Sequence, residues 1–240
     1  MLESLYRAIR KDAAPALVKV AGRDYADKEL WPVHAPRPIV LEVSTLTGLV
    51  DYLKTNVDGL ELNKLICHVV SPEMVSLCSA LHGDFHDRAC YMEARLDQLK
   101  LPLNQWMDAE PFNIALQACF CEPKGSPGTD KGLVLKFISN VTATVEAGIS
   151  DDGVTQAVAV KTGISSKAVQ ALPNPVTLSP YRTFTEVEQP ASSFIFRCRQ
   201  SDGAMQFSLT EADGGDWRSH AMWHIKLFLE QAVPGLNVIA

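Results

Sequence analysis

The sequence predicts an α+β fold, with a mixed strand–helix lobe followed by a mainly antiparallel β lobe that is closed by a C-terminal helix. Short apolar strands and helix-spaced apolar residues occupy the first half, whereas two Asp-Gly turns between alternating segments mark the second. A Gly- and Pro-rich loop at 121–129 separates the two patterns. We therefore expect an α/β lobe over 1–122 and a β lobe with its C-terminal helix over 130–240, either as two lobes or as one continuous domain.

The first sixty residues contain two predicted helices with strands between them. Helical spacing of apolar residues predicts a short helix over 2–9, and alternation around a glycine predicts a small hairpin at 18–25. A short apolar strand is expected at 39–43. Ser44 or Thr45 can cap the helix that follows, which carries one apolar stripe.

The rest of the first lobe is predicted to add a small sheet and a helix. Strands are expected at 65–70, 75–78 and 88–96, with a polar turn at 82–86 joining the last two. A helix is predicted over 108–120, because its first residue is an aspartate that can cap it and a proline lies in its first turn.

The second lobe is predicted to be built from hairpins. The spacing at 133–138 fits a helix or a strand equally well. Asp-Gly pairs supply the positive φ angles of tight turns, so they predict two hairpins. The strands of these hairpins are expected at 141–149 with 154–161, and at 194–199 with 204–209. A helix from about Asp216 ends the chain.

The composition of the chain argues against several classes of function. A formal net charge of −6 argues against broad, non-specific binding to nucleic acid, which depends on clustered Lys and Arg. No apolar stretch approaches the roughly 20 residues that span a bilayer, and the N-terminus lacks the order of a secretory signal. We therefore expect a cytoplasmic protein. Its six cysteines form no Cys-x-x-Cys pair and are expected to be mostly small buried hydrophobic residues.

The most distinctive segment, 174–190, combines three stiffening prolines with a dense set of polar residues. If residues 181–188 run extended, Arg182 and Glu186 point to one side, and Tyr181 and Thr183 to the other. The planar guanidinium can then grip a phosphate or carboxylate of a ligand. The alternative is a purely structural pair between Arg182 and Glu186 that fixes an irregular connection.

Two further places are candidates for binding an anion. Arg197 and Arg199 alternate along a predicted strand. Gly214 and Gly215 precede the last helix, where exposed backbone N–H groups suit a negative ligand. The aspartates on either side of these glycines favour the alternative of an ordinary helix start.

Two histidine pairs have spacings compatible with a metal, and carboxylates at Asp84 and Asp87 accompany only the first of them. His82 and His86 lie in the polar turn, where a solvated hairpin tip is the favoured explanation. His220 and His224 are four residues apart on the last helix, so their side chains lie on one face, as a metal pair requires. A partly buried stripe of the helix explains the same spacing. We predict no metal, no cofactor and no catalytic residue, and an enzyme is the least favoured class. Neither a Gly-x-Ser-x-Gly elbow nor a phosphate-binding loop is present.

Four segments together resemble a family of hypothetical phage and prophage proteins. They are 45–52, 151–156, 174–184 and 211–217. The resemblance extends over most of the chain and implies a phage protein acting in the cytosol of a bacterial host. It implies no catalytic residue.

Two functions are expected from these observations. The first is a non-enzymatic binding protein, in the form of a homo-oligomer, that sequesters a small nucleotide or another host factor against a bacterial defence. The second is an accessory protein of phage DNA replication or recombination that binds protein or single-stranded DNA. Aromatics and arginines interleave at 193–199, as base stacking requires, although the acidic balance makes nucleic acid the less favoured partner.

Overall fold

The computed structural model describes residues 17–26, 37–83, 86–97, 100–122, 128–142, 147–151, 156–162, 166–171 and 174–240. Its contacts divide the chain into two units, Met1–Arg37 and Pro38–Ala240. Helices and strands are both present, which confirms the predicted α+β class. The predicted boundary at 121–129 stays a prediction.

The first unit contains the predicted hairpin. Strands β1 (Leu17–Val20) and β2 (Arg23–Ala26) pair antiparallel across a two-residue turn. Both turn residues, Ala21 and Gly22, have positive φ angles, as a tight hairpin turn requires. The helix predicted over 2–9 lies outside the described residues.

Strands and helices are interspersed in the first part of the second unit, and its later part consists mainly of strands. In chain order they are β3 (Leu41–Val43), α1 (Leu46–Thr55), a 3-10 helix (Leu62–Lys64), β4 (Leu65–Ser71), β5 (Met74–Ser79), β6 (Cys90–Arg95), β7 (Met107–Asp108), α2 (Ala109–Cys119), β8 (Phe120–Cys121), α3 (Lys131–Thr142), β9 (Ala147–Asp151), β10 (Gln156–Thr162), β11 (Ser166–Ala171), β12 (Val176–Pro180), β13 (Ser192–Ser201), β14 (Ala204–Glu211), α4 (Trp217–Ala232) and β15 (Asn237–Ile239).

The first sheet is mixed and has the strand order β15-β4-β5-β6-β3. Its three central strands pair antiparallel, and each edge strand runs parallel to its neighbour. Helices α1 and α4 bury their apolar stripes against it, and together they form the first core. Residues Leu46, Leu49, Cys67, Leu77, Ile225 and Leu229 are all fully buried there.

The second sheet is antiparallel throughout, with the strand order β7-β14-β13-β12-β8. Helices α2 and α3 cover one face and enclose the second core. Phenylalanine rings dominate this core, and the centroid of Phe196 lies 5.7 Å from that of Phe137 and 5.9 Å from that of Phe207. Strands β9, β10 and β11 form a third, antiparallel sheet.

Local sequence signals placed most elements correctly. Thr45 caps α1 by accepting a hydrogen bond from the Gly48 N–H group, and Asp202-Gly203 turns the hairpin of β13 and β14 with positive φ angles. The ambiguous segment at 133–138 is a helix, α3, and Val141 extends its buried stripe. The strand predicted from residue 141 was therefore placed too early, and β11 was not predicted.

The C-terminal helix follows the antiparallel sheet in the chain, as predicted, but packs against the first sheet. Ile225 and Leu229 of α4 lie in the first core, and β15 then pairs with β4. The chain therefore crosses between the two cores just before α4. No helix in the described ranges is long and apolar enough to cross a membrane.

Candidate functional site

The connection between β12 and β13 is a second crossing between the two cores. Strand β12 ends in the second sheet, whereas Phe184 is fully buried in the first core with α1 and α4. The extended conformation considered for 181–188 does not occur, because the backbone turns, with the Val187 N–H group donating to the Phe184 carbonyl at 3.3 Å. The alternation of sides expected for a strand therefore does not apply to this segment.

Gln189 holds this turn together, although nothing in the sequence pattern marked it. Its side chain is 5% exposed. Its Oε1 accepts from the backbone N–H groups of Arg182 (3.0 Å) and Thr183 (3.2 Å). Its Nε2 donates to the carbonyls of Thr183 (3.2 Å) and Phe184 (3.0 Å). A buried irregular backbone needs such partners, and a glutamine amide supplies both a donor and an acceptor.

The turn places Arg182 in a buried polar cluster. Its guanidinium donates to the Glu211 carboxylate and to the Ser192 hydroxyl, and lies 4.0 Å from the Asp213 carboxylate. Its Cζ lies 4.0 Å from the ring centroid of Trp217. Burial lowers the pKa of Arg182 to about 10, although the two carboxylates act in the opposite direction. The guanidinium therefore stays charged at neutral pH and is fixed internally.

Asp213 anchors the other side of this cluster. Its carboxylate accepts hydrogen bonds from the Ser192 hydroxyl (2.7 Å) and from the Gly215 N–H group (3.0 Å). Burial alone would raise the pKa of Asp213, but these hydrogen bonds and the charge of Arg182 outweigh it and hold that pKa below its usual range.

Asp213 should therefore contribute stability that is lost in acid. A carboxyl with a depressed pKa in the folded state stabilises the fold above its unfolded-state pKa, and the contribution disappears as the pH falls below about 4. We expect the difference in unfolding free energy between the native chain and Asp213→Asn to shrink as the pH falls from about 6 to about 3. Urea unfolding across this range measures it. A difference that stays constant with pH would contradict the assignment.

A cavity of about 230 Å³ adjoins the cluster, between the turn after β4, the stretch that precedes β7, and the start of α4. Three leucines supply part of its wall. The remaining lining side chains include Glu73, Lys100, Tyr181, Arg182, Glu211, Trp217 and Arg218.

Outside the ion pair of Arg182 with Glu211, two cations and one carboxylate line the cavity. The carboxylate is that of Glu73. Lys100 and Arg218 make no ion pair with any described residue, and the Arg218 guanidinium lies 4.9 Å from the ring centroid of Trp217. Tyr181, 38% exposed, adds an aromatic surface. The arrangement is suited to an anionic group next to a flat or apolar one.

Two buried donors in the cavity wall have no acceptor among the described residues. They are Nε of Arg182 and Nε1 of Trp217. An unsatisfied buried donor costs about 1–3 kcal/mol, so each is a place where an acceptor would be stabilising. Neither nitrogen is open to solvent, so an acceptor in the cavity reaches it only after neighbouring side chains shift.

Gly215 makes room for Arg218 and does not present a free amide. Its N–H group is already bonded to Asp213, which removes it as the predicted anion donor. Its φ is +86°, and a Cβ at this position would overlap the Arg218 guanidinium. Gly214 also has a positive φ, of +65°. The predicted glycine pair therefore contributes to the site by allowing the turn before α4, and not by donating to an anion.

The other predicted residues have separate structural roles. Thr183 is buried, and its hydroxyl donates to the Pro72 carbonyl at 2.6 Å. Glu186 does not pair with Arg182; it accepts from the N–H group of Thr47 at 3.1 Å, at the positive end of the α1 dipole. Neither residue is among those lining the cavity.

Arg197 and Arg199 lie on β13, away from the cavity. Arg199 bonds the Gln206 side chain at 2.9 Å and stacks on Trp106, with its Cζ 4.3 Å from the ring centroid. The aromatics that alternate with these arginines are buried in the second core, so they offer no face for stacking a base. The interleaving at 193–199 therefore reflects the two faces of a strand.

The histidine pairs form no cluster of metal ligands in the part of the chain that the structure describes. His82 pairs through its backbone with Asp87. His220 lies 3.8 Å from the Asp216 carboxylate, and His224 Nδ1 lies 3.2 Å from the Glu188 carbonyl.

Sequence reasoning found Tyr181 and Arg182 but missed most of the cavity wall. Lys100, Glu211 and Arg218 come from distant parts of the chain, so no local pattern relates them to Arg182. The glycines before α4 were predicted as an anion site, with an ordinary helix start as the alternative. Comparison with protein families, with curated proteins and with solved structures found no match.

Proposed function

We propose that this chain is a non-enzymatic binding protein that holds a small anionic ligand, a nucleotide being the favoured class, in the cavity beside Arg182. The observation that carries the proposal is the pair of cations, Lys100 and Arg218, that lack an ion-pair partner among the described residues and lie next to Tyr181 and Trp217. A phosphate suits the two cations, and a base suits the aromatic surface.

The size of the cavity restricts the ligand. Its volume of about 230 Å³ lies below the roughly 300–1,000 Å³ of typical small-molecule sites. The proposed occupant is therefore compact, or is the phosphate end of a ligand whose remainder extends past Tyr181.

Arg182 has an organising role in this proposal. Because its guanidinium is already bonded to Glu211 and Ser192, it does not act as the gripping cation that the sequence suggested. Instead, it positions Trp217 and fixes the wall against which the ligand lies. Arg218 takes over the contact with the anion.

The biological setting belongs to the same proposal. The resemblance to phage and prophage proteins supports sequestration of a small nucleotide, or of another host factor, in the cytosol of an infected bacterium. Assembly as a homo-oligomer is also proposed, since it would add surface around a shallow site.

A ligand panel with matched arginine variants tests the proposal. We expect a nucleotide, from a panel of inorganic phosphate, nucleoside monophosphates and cyclic dinucleotides, to raise the melting temperature in a saturable way. Arg218→Gln should weaken binding about 10- to 100-fold, because a charge-assisted hydrogen bond contributes about 1.5–3 kcal/mol.

Arg199→Gln is the matched control, since Arg199 also stacks on a tryptophan but lies outside the cavity. It should leave the affinity unchanged. No saturable shift with any compound at high excess, or equal losses in the two variants, would refute the proposed site.

A further inference from the structure

Two cysteines that no sequence motif pairs lie opposite each other in the first sheet. Cys78 of β5 and Cys90 of β6 are direct partners in the antiparallel register. Directly opposite residues of such a pair have Cα atoms about 4.5–5.5 Å apart, which falls within the range of about 4.4–6.8 Å that a disulfide spans. Both thiols are free and partly exposed.

The register is irregular at this point, which gives the pair local freedom. Leu77 pairs with Met92 but Cys78 pairs with Cys90, so β6 carries one extra residue between them. A bulge of this kind bends its strand and re-aims the neighbouring side chains. The two sulfurs can therefore approach without disturbing the pairing of the buried residues on either side.

We propose that Cys78 and Cys90 are a modification site that closes into a reversible intramolecular disulfide on reaction with a low-molecular-weight disulfide such as oxidised glutathione. One cysteine thiolate attacks a glutathione sulfur, the glutathione disulfide breaks, and one glutathione thiolate leaves. The second cysteine thiolate then attacks the mixed disulfide and releases the other glutathione. Two protein thiols are oxidised and one glutathione disulfide is reduced to two thiols.

The surroundings make this reaction slow at neutral pH. Burial, followed by the hydrogen bond to Cys90, raises the pKa of Cys78 to about 11, while Arg88 acts in the opposite direction. Only the thiolate attacks a disulfide, so closure accelerates as the pH rises.

Peptide mapping of the full chain tests this site. After incubation with oxidised glutathione, alkylation of the remaining thiols and digestion without reductant, we expect a cross-linked peptide pair joining Cys78 to Cys90. Its yield should rise with pH, and dithiothreitol should remove it. Cys78→Ser and Cys90→Ser should each abolish the link, whereas Cys121→Ser, at another partly exposed cysteine, should keep it.

Stable glutathione adducts on Cys78 or Cys90 without the internal link would overturn the proposal. So would a link that joins either residue to a different cysteine. Each of these results is obtained with the unsubstituted protein, so it does not depend on whether the serine variants fold.

Discussion

Replacing Gln189 with leucine should destabilise the second unit by about 4 kcal/mol, the largest effect that we expect from a single substitution outside the apolar cores. Leucine has a similar size but removes the acceptor of two buried N–H groups and the donor to two buried carbonyls. An unsatisfied buried polar group costs about 1–3 kcal/mol, and some of these groups will find water after a local rearrangement. Urea denaturation measures the loss.

Gln200→Leu provides the matched control for Gln189. It makes the same chemical change at an exposed position of β13, where we expect an effect within about 0.5 kcal/mol. A loss below about 1 kcal/mol for Gln189→Leu would show that the turn after β12 does not depend on this amide.

Removing the Glu211 carboxylate should cost about 3 kcal/mol, because Glu211→Ala leaves the buried Arg182 charge without its nearest partner. Asp213, 4.0 Å away, compensates only in part. Glu230→Ala is the control, since it breaks an exposed pair with Lys226 (3.9 Å) and should cost less than about 1 kcal/mol.

The double variant Arg182→Met with Glu211→Ala tests the physical cause of that loss. When both members of the ion pair are removed, the buried Arg182 charge is gone, and an apolar side chain of similar length keeps the packing. Asp213 loses its cation but keeps the hydrogen bonds from Ser192 and Gly215. We therefore expect the double variant to be more stable than Glu211→Ala alone. Equal or greater destabilisation of the double variant in the same denaturation series would argue against an electrostatic origin.

These predictions concern a site that was only partly visible in the sequence. The segment at 174–190 was singled out for its prolines and polar residues, and the structure places its Arg182 in a buried cluster with Glu211 and Ser192. The partner expected for a structural role, Glu186, was wrong, because the turn held by Gln189 points Glu186 to the start of α1. The spacing of residues along a strand cannot reveal a turn that depends on a side chain seven residues away.

Local chemistry alone determined the elements with short-range causes. Thr45 caps α1 through a group three residues away, and Asp202-Gly203 has the conformational freedom that a hairpin turn needs. The apolar stripe of α4 likewise follows from helical periodicity. In each case the signal and the structure that it causes lie within a few residues of each other.

Only the tertiary structure decided which distant residues meet. Arg182 meets Glu211 because two crossings between the cores bring the end of β14 beside the turn after β12, and Cys78 meets Cys90 because an irregular register aligns them. Partners this far apart are selected by burial of the whole apolar surface and by the need to satisfy buried polar groups. These are properties of the packed chain, and no short stretch of sequence contains them.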